Sequence, residues 1–246
     1  TMRKAKSEMI ECRRLSCYYK VKGGYLAAVD ELDLTVEDGE LLVVVGKSGC
    51  GKTTLLKGIL GQCERMSGEL LIDGVPARQT DKRSNLFSYV SQEYVLYPQL
   101  LIYENIAYPL RMMNTRQEEV DRRVREIAQT LGLTYLLNRK PRQLSGGQHQ
   151  RVAIARALIK YPKYLLFDEP FSNIDPSLRG ELRELLRRVH RETDATIVFV
   201  THDLQEAFAL ADRIAVMKDG RLEELGTPRA LRRAPQSELL RRFLQG

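Results

Sequence analysis

The sequence predicts an α/β fold with a mainly parallel core sheet, a flanking antiparallel β subdomain and an inserted helical subdomain. Short apolar runs recur along the chain, as expected for strands buried on both faces, near residues 41–45, 86–90, 164–168, 196–200 and 213–217. Residues 9–36 and 64–75 instead form short alternating patterns that are typical of antiparallel strands. Between residue 93 and about residue 160 the apolar spacing becomes helical. These three patterns define the fold class.

The inserted segment is expected to contain amphipathic helices. One spans Gln117 to Leu131, with an apolar face formed by Val120, Val124, Ile127, Ala128 and Leu131. Another begins near residue 145 and supplies apolar packing from Val152, Ile154, Ala155 and Leu158. Asp219-Gly220 predicts a hairpin turn. The length alone allows one or two domains. We expect a single domain, 1–246, with core and antiparallel subdomains in about 9–92 and 161–246 and the helical subdomain in about 93–160.

Composition supports a globular domain and argues against some functions. The chain has 246 residues, of which 43% are hydrophobic, which is enough for a large core. No apolar run approaches the ~20 residues of a membrane-spanning helix, and the basic N-terminal stretch lacks the apolar run of a signal peptide. The 39 basic residues exceed the 32 acidic ones but are spread through charged helices, which argues against nucleic-acid binding. His190 lies in such a helix and is expected to be exposed.

Residues 46–53 form a phosphate-binding loop, or P-loop. They match the pattern G-x-x-x-x-G-K-[ST] at every fixed position, between the apolar run 41–45 and a helix expected from Thr53 to Leu60 that Gly61 closes. Glycines let the backbone wrap around phosphates, and the helix N-terminus directs unpaired N–H groups at the anion. We expect Lys52 to reach the β- and γ-phosphates and the Thr53 hydroxyl to ligate Mg²⁺.

Two further strand ends carry candidate catalytic groups. The run 164–168 delivers Asp168 and Glu169, in the positions of a metal-side acid and of a base that orients attacking water. The run 196–200 leads to His202, whose imidazole could hydrogen-bond a γ-phosphate. In isolation the two acids could simply be a solvated strand end, and a lone histidine is usually structural.

The cysteines stand at positions 12, 17, 50 and 63 and form neither a CxxC pair nor a metal-ligand spacing, so we expect reduced thiols. Cys50 is the exception, because its place at the P-loop helix is expected to lower the pKa of its thiol. This predicts that a thiol reagent inactivates the protein and that bound ATP protects it.

These segments together closely resemble one family. The P-loop, the second glycine-rich segment Leu144-Ser145-Gly146-Gly147-Gln148, the Asp168-Glu169 strand end and His202 are similar to the ATPase subunit of an ABC transporter, over residues from about 10 to 246. The resemblance implies a P-loop NTPase fold with ATP and Mg²⁺ as cofactors. It implies that Tyr19 stacks on adenine, although Tyr18 could face the nucleotide instead, and that Gln92 links Mg²⁺ and water to the helical subdomain.

The resemblance also implies that two copies sandwich two ATP molecules head to tail. The signature segment of one copy, Ser145 to Gln148, then contacts the nucleotide held by the other. The loop containing Asp175 is then expected to cross the dimer interface. The implied nucleotide-binding residues are Tyr19, Gly46, Lys47, Ser48, Gly49, Cys50, Gly51, Lys52, Thr53, Thr54, Ser145, Gly146, Gly147, Gln148 and Asp175. The implied catalytic residues are Lys52, Gln92, Glu169 and His202, and the implied metal ligands are Thr53, Gln92 and Asp168.

The motifs are most similar to those of bacterial importers of sugars, iron and polyamines. That resemblance implies transmembrane permease subunits, a homodimer or a heterodimer with a related ATPase, and an extracytoplasmic solute-binding protein. It places the chain in the cytoplasm, peripheral on the inner face of the cell membrane. The aromatic and apolar stretch 94–105 is either core packing or the groove that receives the permease.

Alternatives to import stay open at this point. One is the ATPase of an ABC exporter, and another is a soluble ABC ATPase that acts on ribosomes or nucleic acid. Sugar importers of the group usually continue past the position of Gly246 into a β-rich regulatory domain. Both a shorter type of subunit and a truncated chain are therefore open.

Overall fold

The computed structural model describes residues 9–79, 86–172 and 176–245, without the side chains of 176–178. In chain order the strands are β1 Met9–Val21, β2 Gly24–Glu37, β3 Leu41–Val45, β4 Arg65–Ile72, β5 Val75–Pro76, β6 Phe87–Val90, β7 Tyr164–Asp168, β8 Thr196–Thr201, β9 Arg213–Lys218 and β10 Arg221–Gly226. The helices are α1 Lys52–Leu60, α2 Ile102–Met112, α3 Gln117–Thr130, α4 Gly146–Leu158, α5 Pro176–Thr193, α6 Leu204–Leu210, α7 Pro228–Arg233 and α8 Glu238–Gln245.

The strands form two sheets, which confirms the predicted α/β class. The first sheet is antiparallel, with the order β2-β1-β4-β5. The second has the order β10-β9-β3-β8-β7-β6, and all its neighbours are parallel except the edge pair of β9 and β10. The N-terminal region differs from the prediction of several short strands. It forms two long strands, β1 and β2. The alternation of apolar and polar residues breaks near Arg14, whose φ is 44°, but a shift in register there keeps the two strands paired.

Strand β3 is apolar throughout because both faces of its sheet are covered. Leu41, Val43 and Val45 pack into a core shared with the helical segment. Leu42 and Val44 face the other way, into a second core formed with the antiparallel sheet and α1.

Helix α1 is fixed between the two sheets. Its Leu55, Leu56 and Ile59 are each 0% exposed and belong to the second core. The helix ends as predicted at Gly61, whose φ of 72° is the left-handed conformation that favours glycine. Because α1 begins at Lys52, within the P-loop motif, this packing also fixes the loop.

The helical segment and the hairpin also follow the prediction. Helix α3 buries Val120, Val124 and Ala128. Helix α4 buries the apolar residues expected of it, Val152, Ile154, Ala155 and Leu158. Asp219 and Gly220 have φ values of 48° and 81°, as a tight two-residue turn between β9 and β10 requires.

The stretch 94–105 is mostly core packing. Tyr94, Leu96 and Ile102 are buried in the first core, whereas Val95 is 58% and Leu101 37% exposed. Among the residues that the structure describes, no helix has the length and the apolar composition needed to cross a bilayer.

The prediction that His190 is exposed was wrong. The side chain is half-buried, and its Nε2 lies 2.8 Å from the carbonyl oxygen of Gly39. The charged residues around His190 lie on the outer face of α5. His190 itself faces inward, toward the turn between β2 and β3.

Shortening one buried side chain of α1 should destabilise the whole fold. We expect Leu56→Ala to lower the free energy of unfolding by about 2–5 kcal/mol, because it leaves a cavity between the two sheets. Chemical denaturation measures this change. Leu26→Ala is the matched control, since Leu26 is 59% exposed, and it should change little. Equal losses for the two variants would contradict the packing described for α1.

Candidate nucleotide site

The P-loop closes around the side chain of Lys52. Its Nζ donates hydrogen bonds to the carbonyl oxygens of Gly46 at 2.9 Å and Lys47 at 3.2 Å, and Lys52 is 4% exposed. Ser48 and Gly49 are exposed at the turn of the loop, and Thr53 is exposed in the first turn of α1. The loop therefore presents its turn and the helix N-terminus to solvent, as an anion site requires.

Two glycines are required where the loop meets its neighbours. Gly51 has a φ of 104°, and a Cβ there would lie 2.2 Å from the carbonyl oxygen of Ala28. A Cβ on Gly46 would lie 2.4 Å from the carbonyl oxygen of Met217. The β9–β10 hairpin adds a direct backbone bond, from Gly220 N–H to the Cys50 carbonyl at 3.0 Å. Strand β2 and the hairpin thus hold the P-loop from behind.

Cys50 does not have the activated thiol predicted from its position. Its side chain is 7% exposed, and the sulfur lies 2.5 Å from where a Cβ on Gly46 would stand, so it fills space inside the loop. Burial raises the pKa of Cys50, and this effect outweighs the lowering by Lys52 and by backbone hydrogen bonds. The expectation of a reactive Cys50 is therefore corrected.

Asp168 joins the end of β7 to the start of α1. Thr53 donates its hydroxyl to Asp168 Oδ1 at 2.9 Å, and Tyr89 donates to Oδ2 at 2.9 Å. Burial, followed by the charge of Asp168, raises the pKa of the Tyr89 hydroxyl, which therefore stays protonated as the donor. The hydroxyl and the carboxylate form an all-oxygen donor set that suits Mg²⁺ completed by phosphate and water ligands.

Glu169 lies between the P-loop lysine and the β8 histidine. Its Oε1 is 3.6 Å from Lys52 Nζ, and its Oε2 is 2.8 Å from His202 Nδ1. Its φ of 45° is unusual for a residue other than glycine, and its N–H bonds the Val200 carbonyl at 2.9 Å. Backbone of this kind costs about 1–3 kcal/mol and persists only where the surroundings enforce it. The β7–β8 pairing does so here.

Gln92 is linked to the Glu169 turn through a serine. Gln92 Nε2 donates to Ser172 Oγ at 3.2 Å, and Ser172 Oγ donates to the Glu169 carbonyl at 3.0 Å. Six predicted site residues from four separate segments of the sequence therefore lie close together in the structure. They are Lys52, Thr53, Gln92, Asp168, Glu169 and His202.

Tyr19, rather than Tyr18, faces the P-loop helix. The Tyr19 hydroxyl lies 3.2 Å from Thr54 Oγ1, a hydrogen bond in which either group can donate. Tyr18 points to the other face of β1 and meets Ser67 at 3.2 Å. The two-residue period of β1 therefore directs Tyr19, and not Tyr18, toward α1.

The signature segment forms the N-terminus of α4. Ser145 Oγ accepts from Gln148 N–H at 3.4 Å, and Gln148 Oε1 accepts from Ser145 N–H at 3.0 Å, a reciprocal capping box. Ser145 and Gly146 are exposed, and Gly147 is half-buried. Within residues 9–79, 86–172 and 176–245, no hydrogen bond or ion pair joins this segment to the P-loop. Asp175, the last predicted site residue, lies outside the described residues.

Two groups near the site were missed by sequence reasoning. Gln150 is 0% exposed, and its Nε2 donates to the Pro170 carbonyl at 2.6 Å, which ties α4 to the turn after Glu169. Its position two residues beyond the signature segment was the available signal. Tyr89 was also missed, because an alternating strand position carries no sign of its hydrogen-bond partner.

Glu206 holds the turn that carries His202. Thr201 donates its hydroxyl to Glu206 Oε2 at 2.7 Å, and Thr201 Oγ1 accepts from Asp203 N–H at 3.0 Å, so both neighbours of His202 are fixed. Arg179 of α5 lies 3.4 Å from Asp203 and 3.9 Å from Glu206. Glu206 is 3% exposed, and burial is the main cause that raises its pKa.

The pKa of Glu206 predicts a pH-dependent effect on stability. A carboxyl whose pKa is raised by folding contributes stability below its ordinary pKa, and this contribution is lost as the pH rises through the raised pKa. A glutamine side chain in its place cannot ionise and can still accept from Thr201. We therefore expect the stability of Glu206→Gln relative to wild type to increase as the pH rises above the ordinary carboxyl pKa of about 4.3.

Urea denaturation at several pH values measures this difference. Exposed Glu118, changed to glutamine, is the control. If Glu206→Gln instead lost stability as the pH rose, the ion pair with Arg179 would dominate over burial.

The buried Cys50 thiol should react slowly. The thiolate is the nucleophile, so a raised pKa leaves less of it at neutral pH. We expect alkylation of Cys50 by iodoacetamide to be much slower in the folded than in the unfolded chain, and to speed up with rising pH. Peptide mass spectrometry measures the rate. Equal rates at neutral pH in both states would restore the reactive Cys50 of the sequence prediction.

Comparisons with known proteins agree with this geometry. A family model described as ABC transporter matches residues 29–172. The chain is 43% identical over 227 residues to a trehalose/maltose import ATP-binding protein of Thermococcus litoralis, covering 90% of this chain and 61% of the relative. It is 45% identical over 221 residues to an sn-glycerol-3-phosphate import ATP-binding protein of Rhizobium johnstonii, covering 90% and 60%. The chain thus spans about three fifths of the length of these relatives.

A solved structure supports the same relationship. It is the dimeric structure of an ATP-binding cassette in a post-hydrolysis state, bound to ADP and Pi. The TM-score is 0.80 at 32% identity, over 89% of this chain and 99% of the other. On the family match, these relatives and the P-loop geometry, the chain belongs to the ABC transporter family of ATP-binding cassettes.

Proposed function

We propose that this chain is the ATP-hydrolysing subunit of an ABC importer. The observation that carries the proposal is the position of Glu169, 3.6 Å from the P-loop lysine and 2.8 Å from His202, directly after the buried Asp168. This is the arrangement in which a carboxylate can orient water beside a phosphate held by a P-loop.

ATP binding is assigned to the P-loop and to Tyr19. The backbone N–H groups of residues 46–54 and the Lys52 ammonium neutralise the phosphates, and the Tyr19 ring stacks on the adenine. Thr53 and Asp168 hold Mg²⁺, with Gln92 as a further oxygen ligand. When bound, the ion supplies charge neutralisation at the β- and γ-phosphates.

Hydrolysis is assigned to the groups around Glu169. The carboxylate orients water for attack, Gln92 helps to position it through the Ser172 link, and His202 donates a hydrogen bond to the γ-phosphate. Most of the rate then comes from positioning and electrostatics rather than from covalent chemistry.

The complete site is proposed to need two copies of the chain. Ser145 and Gly147 stand at an exposed helix N-terminus, where N–H groups can bind an anion, yet no described contact joins them to the P-loop of the same chain. A head-to-tail dimer brings the signature segment of one copy, Ser145 to Gln148, to the nucleotide of its partner, and Asp175 is assigned to that interface. The solved relative described above is itself a dimer.

The names of the relatives support our proposal that the chain serves import of a small polar solute. Those with 43% and 45% identity are named for import of trehalose or maltose and of sn-glycerol-3-phosphate. We propose a solute of the same class, a permease as membrane partner, a solute-binding protein outside the membrane, and a position on the cytoplasmic face. The exposed Val95 and Leu101, which follow Gln92 by three and nine residues, are proposed to contact the permease.

Replacing the proposed base should separate binding from hydrolysis. We expect Glu169→Gln to lower kcat about 10²–10⁴-fold, which is the usual range for general acid–base groups, while ATP still binds. Steady-state phosphate release and titration calorimetry with MgATP measure the two properties. Arg183→Gln on α5 is the control, because it also replaces a charged side chain by glutamine but lies outside the proposed site. Hydrolysis by Glu169→Gln at the wild-type rate would remove Glu169 from the mechanism.

Replacing the exposed Val95 by a charged residue should weaken binding of the chain to its membrane partner. We expect Val95→Asp to reduce co-purification of a permease from host membranes while leaving ATP affinity intact, because an apolar contact is replaced by a charge. Val21→Asp at the β1–β2 turn, where Val21 is 44% exposed, is the matched control. Equal recovery of permease with both variants would exclude Val95 from the contact.

A further inference from the structure

Two thiols meet on the side of α1 that faces the antiparallel sheet. Cys17 of β1 is 0% exposed, whereas Cys63, in the loop between α1 and β4, is half-buried. Gly58 of α1 provides the space for both sulfur atoms. A Cβ added there would lie 2.7 Å from Cys17 Sγ and 4.0 Å from Cys63 Sγ. No local pattern indicates this pair, because the two positions are 46 residues apart and follow no motif.

The environment makes the two thiols chemically unequal. The interaction between the two side chains, followed by burial, raises the pKa of Cys17, and the same interaction lowers the pKa of Cys63. Lys57, in the last turn of α1, adds a positive charge that also lowers the pKa of Cys63. Cys63 is thus both the more accessible sulfur and the better nucleophile, with Cys17 as a protonated neighbour.

The pair is connected to the proposed adenine side of the nucleotide site. Cys63 Sγ lies 3.7 Å from the Thr54 carbonyl oxygen, to which it can donate. The Thr54 hydroxyl lies 3.2 Å from the Tyr19 hydroxyl, and Tyr19 follows Cys17 by two residues on β1.

We propose that Cys17 and Cys63 form a reversible disulfide that weakens ATP binding, so that the cassette responds to hydroperoxides. A disulfide requires the two sulfur atoms to approach to about 2.05 Å. This approach draws Cys63 away from Thr54, and it draws β1 toward the end of α1. The second half of the proposal, the weaker ATP binding, rests on the ATP site proposed above. The first half does not.

The chemistry balances with a hydroperoxide as the oxidant. The Cys63 thiolate attacks the terminal peroxide oxygen, the O–O bond breaks, and the leaving alkoxide takes up a proton to become an alcohol. Cys17 sulfur then attacks the resulting sulfenic acid, the S–S bond forms, and the S–O bond breaks. Hydroxide leaves with the Cys17 proton as water. The two thiols lose two electrons in total, and a dithiol reductant reverses the reaction.

Mass spectrometry after treatment with a small excess of hydrogen peroxide tests the disulfide. We expect the intact chain to lose two hydrogens and a peptide pair joining Cys17 to Cys63 to appear, then to vanish after reduction. Cys63→Ser should abolish the linked peptides. Cys12→Ser is the matched control, because Cys12 is also buried on β1 and burial raises its pKa to about 12. Oxidation of Cys63 alone, with Cys17 still a free thiol, would overturn the proposal.

Calorimetry with MgATP tests the coupling. We expect the oxidised protein to bind ATP at least about fivefold more weakly, at the lower end of common coupling free energies. Because linkage is reciprocal, saturating ATP should raise the midpoint potential of the pair by about 20 mV, which is the same factor converted for two electrons. Equal affinities in the two redox states would overturn the coupling. A protein that bound no ATP in either state would contradict the proposed function, whereas the mass measurement would still decide the disulfide.

Discussion

The site depends on one constraint, the register of three parallel strands. Val45 of β3 pairs with Thr201 of β8, and Asp168 of β7 pairs with Val200 of β8. The P-loop, the two acids and His202 each begin where one of these strands ends, so pairing alone brings them to the same edge of the sheet. A shift of one residue in β7 would turn Asp168 away from the P-loop helix and break the link between the two motifs.

The surrounding packing keeps that edge rigid. Both faces of β3 are buried, and α1 is held between the sheets by apolar contacts, so the helix N-terminus cannot move without opening a core. Strand β2 and the β9–β10 hairpin support the P-loop from behind through Ala28 and Gly220. The backbone positions of the site residues at this edge of the sheet are therefore fixed. The side chains of Glu169 and His202 lie close to solvent and remain able to reorient toward a ligand.

The fold class was predictable because its signals are local, and local motifs also indicated the main groups that the structure brings together at the candidate site. The missing contacts join distant segments, and nothing near Tyr89 in sequence names Asp168 as its partner. The predictions for Cys50 and His190 were wrong because burial is a tertiary property. Burial raises the pKa of Cys50 despite its place at a helix N-terminus, and His190 is half-buried although its helix is charged. The assignment of Tyr19 likewise needed the orientation of β1 against α1. Local chemistry identifies a group, and packing then decides its protonation and its direction.

The central claim is that a working site combines the P-loop of one chain with the signature segment of another. Mixing two inactive variants, Lys52→Ala and Ser145→Arg, tests it directly. In a mixed dimer one site carries both changes and the other carries neither. Since half of the dimers would be mixed, we expect hydrolysis to return to about a quarter of the wild-type rate. If the mixture hydrolysed ATP no faster than the variants measured separately, the two-chain site would be contradicted.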